Sequence, residues 1–119
     1  MPVTDESPAQ SFLPVPPIWF GAMLAMADEP KHGYGIVKEI ERRAVGGKRP
    51  AAGTIYIALQ RLLAEGLIEE RPGSTRDSKD GRGKRLYGLT RLGRRVSALE
   101  AQRMTELVAI SAQKKLIPS

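Results

Sequence analysis

The sequence predicts a mainly α-helical chain with a small β-hairpin and a long final helix. Two observations carry that prediction. Apolar residues recur at helical spacing in three stretches before residue 66 and in one after residue 90. Between them lie two short segments, Leu67–Arg71 and Lys84–Leu89, separated by a polar, glycine-bearing loop. A length of 119 residues suits one domain, or one small domain with an oligomerisation element.

Taken in order, residues 1–17 carry five prolines among Ser, Thr, Asp and Gln. Such a segment has little to bury and cannot sustain a helix, so it is expected to be a disordered arm. Residues 18–27 are apolar on every side, and Pro17 suits a first helical position. A helix apolar all round must be covered all round, so part of it should pack on something besides its own domain. After His32-Gly33-Tyr34, the stripe Ile36, Val37, Ile40, Ala44 predicts a second helix, stopped by Gly46-Gly47. A third begins near Ala51, runs to about Glu65 and ends at Gly66. Ile55, Leu59, Leu62 and Leu63 share one face, with Gly53, Ile57, Gln60 and Arg61 opposite and Thr54 and Tyr56 on the flanks. Thr90 is a suitable N-cap for a last helix, from Arg91 to about Leu116. Twenty-six helical residues span about 39 Å. That exceeds what so small a body can cover, so the stripe of Val96, Leu99, Leu107 and Ile110 needs a partner. Arg103 interrupts this stripe and should pair with an acid such as Glu100 or Glu106 of either chain of a dimer.

Composition removes most enzyme chemistry. With no cysteine, thiolate metal sites, disulfides and cysteine nucleophiles are excluded, and a single histidine, His32, leaves no basis for a histidine metal site or a Ser-His-Asp triad. No cofactor is expected and no enzyme activity. The longest apolar stretch is too short to span a bilayer and lacks signal-peptide flanks, so no membrane association is expected and the protein is placed in the cytoplasm. Charge is segregated: Arg71 to Arg95 holds nine basic and two acidic residues, net +7, against +6 for the whole chain. One strongly basic segment on a neutral body suggests a surface for a polyanion.

Three helices, a hairpin with a basic loop and a long helix make the winged helix-turn-helix arrangement. The expected organisation is an arm (1–17), a winged helix DNA-binding domain (18–90) and a C-terminal dimerisation helix (91–119). In such folds the third helix enters the major groove and the hairpin loop reaches the flanking backbone or minor groove. The candidate contacts are Gly53, Thr54, Tyr56, Ile57 and Arg61 on the third helix and Arg82, Lys84 and Arg85 in the wing. Arg and Gln can read base edges in bidentate fashion, and an exposed Ile can touch thymine methyls. Wing cations add affinity without sequence information. A dimer would use Trp19, Met23, Val96, Leu99, Leu107 and Ile110.

The stretches His32-Gly33-Tyr34-Gly35, Gly53 to Leu62, Glu65-Gly66-Leu67-Ile68 and Tyr87 to Gly93 also carry a family likeness. The sequence resembles the phenolic-acid-decarboxylase regulator (PadR) family of bacterial transcription regulators over about residues 18 to 117. The resemblance implies a homodimeric repressor that binds double-stranded DNA, in the short form with a single C-terminal helix. It also supports Tyr34 as a phosphate contact. Some members bind planar aromatic effectors, but residues 91–119 contain no Phe, Tyr or Trp. Any small-molecule effector is therefore of unknown chemistry and is expected near Trp19, Met23 and the last helix. The competing reading is a winged-helix protein-interaction module without sequence-specific DNA binding.

Overall fold

A computed structural model describes residues 6–43, 47, 49–73 and 85–118. The elements are α1 (Glu6–Gln10), α2 (Pro17–Ala25), β1 (Lys31–His32), α3 (Gly33–Arg43), α4 (Ala52–Ala64), β2 (Ile68–Arg71), β3 (Leu86–Leu89) and α5 (Arg91–Gln113). This is a winged helix-turn-helix: α2, α3 and α4 pack together, a small antiparallel sheet flanks them, and α5 runs off the far side.

The core is one cluster. Met23 and Met26 of the α2 region, Ile36 of α3, Ile55, Leu59 and Leu62 of α4, Leu67 and Ile68 at the start of β2, and Val96 of α5 are all at most 2% exposed. Removing one such Leu or Ile side chain should cost about 2–5 kcal/mol. The apolar face expected for the third helix is the one that α4 buries, with Ala58 added to it.

Helix ends explain how the elements are held in register. α4 stops at Gly66, whose φ of 76° is a left-handed conformation suited to glycine. The Gly66 and Leu67 N–H groups donate back to the carbonyls of Leu63 and Leu62, closing a Schellman motif. Thr90 then fastens α5 to this turn: its Oγ1 reaches the Gly66 and Leu67 carbonyls at 2.7 and 3.1 Å and accepts from the Gly93 N–H at 3.0 Å. At Gly93 the helix lies directly on the Leu67 carbonyl, leaving no room for a Cβ. The α2 C-terminus is closed by two distant cations. Lys31 Nζ donates to the Ala25 carbonyl (2.6 Å) and Asp28 (2.8 Å), and the Arg94 guanidinium donates to the Ala27 carbonyl (3.1 Å).

Two expectations need correction. Lys31–His32 form a third strand, and the sheet order is β1-β3-β2, so β3 is central. Two residues are too few for alternation to reveal, and the strand exists only because β3 supplies its ladder. The expectation of a disordered arm fails over residues 6–17. That segment carries α1, buries Ala9 and Val15, and packs Phe12 and Leu13 against the core. It docks on α5, where the Glu100 carboxylate is fully buried and takes a bond from the Val15 backbone. Both Glu100 oxygens accept from Arg103, at 2.8 and 2.7 Å, so the expected ion pair forms within the chain. Arg103 first, then the Val15 N–H, hold this carboxyl below the ordinary range, against the opposing effect of burial.

Candidate nucleic-acid interface

α4 is amphipathic in a way the core does not require. Its buried side faces α2, and Gly53, Thr54, Tyr56, Ile57, Gln60 and Arg61 all stand outward. Ile57 is 65% exposed and Tyr56 43%. Ala51, not Thr54, is the N-cap residue, and no side chain caps the helix. The first turn thus presents bare N–H groups and the positive end of the helix dipole outward. Nothing lies within 4 Å of a Cβ built on Gly53. The fold itself does not demand glycine there.

Beside this face lies the start of α3. Tyr34 is 57% exposed. Lys38, one turn on, places Nζ 5.2 Å from the Tyr34 ring centroid. A hydrogen bond to the Tyr34 phenol, helped by Glu41, raises the Lys38 ammonium above its ordinary pKa. At Gly33 three elements meet: a Cβ there would stand 3.0 Å from Tyr56 Cε1 and 3.5 Å from Tyr87 Cε2. Tyr87 sits in β3 opposite Glu70 of β2 and Lys31 of β1. Burial, the Glu70 carboxylate and the Tyr56 phenol all push its hydroxyl up, with Arg85 pulling the other way.

At the base of the wing, Arg85 is exposed and donates to Glu70 at 2.6 Å. Arg82 and Lys84 lie outside the described residues. The sheet thus brings Tyr87, two residues after Arg85, to Tyr56 of α4 at Gly33, the residue before Tyr34. Arg71, by contrast, is used internally: its guanidinium lies over Gly88 and donates to the Leu89 carbonyl at 3.2 Å. Tyr87 and Gly33 were not among the sequence candidates for this face. Their only signal was the glycine before Tyr34 and the tyrosine following Leu86.

The expected dimer residues divide into two groups. Met23 and Val96 are fully buried in the chain's own core, with Ser97 Oγ against Met23 Sδ at 3.4 Å, so neither has surface left for a partner. Trp19 and Leu99 are partly buried against that core. Leu107 and Ile110 are 49% and 46% exposed, and Val108, Leu116 and Ile117 extend the apolar surface. Met104, one turn before Leu107, lines an apolar groove of about 580 Å³ whose walls include Ile18, Gly21, Leu24 and Ile40. Of the surroundings expected for an effector, Met23 is sealed inside the core, Trp19 is partly buried, and the last helix reaches the groove through Met104.

Residues 23–99 match the Transcriptional regulator PadR-like family. A Mycobacterium tuberculosis protein named transcriptional regulator Rv3488 is 35% identical over 81 residues, which cover 68% of this chain and 69% of that one. Among solved structures, a PadR family transcription regulator from Clostridium difficile R20291 superimposes with a TM-score of 0.68 at 22% identity, over 81% of this chain and 95% of its own. A transcriptional regulator from Clostridium thermocellum gives 0.64 at 18% identity, over 96% and 97%.

Proposed function

The chain belongs to the PadR-like family of transcriptional regulators, and from this we propose that it is a sequence-specific repressor that binds double-stranded DNA as a homodimer. The observation that carries the reading is the outward face of α4. It exposes Thr54, Ile57, Gln60 and Arg61, side chains suited to base edges and thymine methyls, with Tyr56 at its edge suited to a backbone phosphate, on a helix anchored by its opposite face. Tyr34 and Arg85 flank that face and suit phosphate contacts, which fix register without reading sequence. In the sequence between the two strands, Arg82 and Lys84 add positive charge suited to the DNA backbone or minor groove.

The dimer is supported by apolar surface that the chain leaves open. Leu107, Val108 and Ile110 of α5 continue from Met104 and the groove beside α2. A second copy related by a two-fold axis can cover both at once. Two reading helices about 34 Å apart would then match a near-palindromic operator. Among the described residues no helix is long and apolar enough to cross a membrane, and the site of action is the cytoplasm.

The test is binding to the gene's own upstream duplex, a random duplex and single-stranded RNA, at two salt concentrations. Preference for the upstream duplex that survives the higher salt supports the reading. Equal affinity for both duplexes removes sequence specificity. Binding to none of the three points to a protein-docking winged helix, for which the exposed Ile57 and Tyr56 would serve.

A further inference from the structure

Tyr56 is a long, exposed side chain on the candidate interface. It stands at the edge of the α4 face, 43% exposed, on a helix whose backbone permits more than one side-chain rotamer. What holds it comes from elsewhere. Its ring lies against the bare backbone of Gly33 at the start of α3, and the Tyr87 ring, from the central strand, approaches the same point. Tyr87 is itself fixed by its ladder on both sides, opposite Lys31 and Glu70. Gly33 lacks the Cβ that would push the Tyr56 ring outward.

We propose that Tyr87 is a positioning residue for the DNA contact made by Tyr56: its ring, with the gap at Gly33, holds the Tyr56 phenol in the one orientation that offers the hydroxyl to a backbone phosphate. The assignment rests on the DNA-binding reading above and adds a link between the sheet and the reading helix. Fixing a ring before binding removes a rotamer cost that would otherwise be met on the DNA, worth on the order of three- to ten-fold in affinity.

A phosphate contact carries no sequence information, so the probe is a random-sequence duplex of about 30 base pairs, titrated with the full-length protein across a salt series. Tyr56→Phe removes the hydroxyl and should weaken binding several-fold at every salt concentration with the slope unchanged, because a neutral phenol releases no counterion. Tyr87→Leu should weaken binding three- to ten-fold with the slope unchanged, whereas Tyr87→Phe, which keeps the ring, should bind like the unmutated protein. In a Tyr56→Phe background, Tyr87→Leu should add no further loss. If thermal melting shows Tyr87→Leu unfolded, Gly33→Ala moves the Tyr56 ring from the other side and should give the same loss and slope. Full additivity of the two changes, or undiminished binding in Tyr87→Leu or Gly33→Ala, overturns the positioning role while leaving DNA binding intact. Failure of the unmutated protein to bind any duplex overturns the DNA-binding reading first, and this assignment with it.

Discussion

Gly53 and Arg61 show how a single residue separates the demands of folding from those of binding. A Cβ on Gly53 meets nothing within 4 Å, and the residue lies in the first turn of α4. Alanine there should leave the melting temperature unchanged or raise it, since glycine costs a helix up to about 1 kcal/mol relative to alanine. If that bare backbone faces DNA, the same methyl group should obstruct it. Gly53→Ala is therefore expected to melt no lower than the unmutated protein and to bind the upstream duplex several-fold more weakly; undiminished binding would remove Gly53 from the interface. Arg61 is exposed near the C-terminal end of the same face. Arg61→Ala should cost about 1–3 kcal/mol on the preferred duplex and much less on random duplex, as read by parallel titrations. Equal losses would make it a backbone contact. This face was legible in the sequence, because a period of 3.6 sorts inward from outward residues wherever one side is continuously apolar. Gly33 and Tyr87 were not legible as its neighbours. Their proximity depends on where β3 lies relative to α3 and α4, which no local period encodes.

At the scale of elements, what sequence reading recovered and what it missed follow the same physical line. The four longer helices announce themselves through apolar stripes, and Thr90 and Gly66 mark ends that the hydrogen bonds bear out. α1 and β1 are too short to carry a period and are fixed by what they touch. The segment before α2 is the instructive case. Its prolines forbid a long helix, yet Ala9 and Val15 are buried because α5 offers a surface and Glu100 offers an acceptor for the Val15 backbone. That acceptor works as a carboxylate. Its pKa lies lower in the folded chain than in the unfolded one, so its stabilisation is present at neutral pH and is lost as pH falls through the lowered value. Thermal melts of Glu100→Gln should show a loss of about 1–3 kcal/mol at pH 7 that shrinks as pH falls below the ordinary carboxylate range; a pH-independent difference would mean that shape rather than charge holds the arm. The wing makes a parallel case. Arg85 already has a partner in Glu70 at 2.6 Å, so a phosphate must compete for it. Glu70→Gln should tighten binding to specific and random duplexes alike, and replacing Lys84 and Arg85 by alanine should lower the salt slope by about one to two.

For the whole molecule, the open question is what covers the far end of α5. Twenty-three residues make a helix of about 35 Å, and only its first part, through Val96 and Glu100, is buried by the rest of the chain. Beyond Met104 the helix presents Leu107, Val108 and Ile110 to solvent, and Leu24 of α2 is half-exposed beside the groove. Exposed apolar surface of this kind suits the interface of the proposed dimer. The sequence made the excess length of the helix visible but not which residues the chain would keep for itself. Met23 and Val96 looked like interface residues by their place in apolar stripes, and both are consumed by the core. Exposure selects the better test. Leu107→Lys with Ile110→Lys changes two side chains that the protomer does not bury, so the winged body should keep its fold while any dimer separates. Sedimentation of the unmutated protein should give a dimer at micromolar concentration with a melting temperature that rises with concentration. The double variant should sediment as a folded monomer and lose most of its affinity for a two-fold symmetric duplex, since each half-site is then bound alone. Because the interface would be apolar and wide, the separation should persist at high salt, unlike losses in the wing. An unmutated protein that sediments as a monomer while still preferring the symmetric duplex would break the link between α5 and operator symmetry.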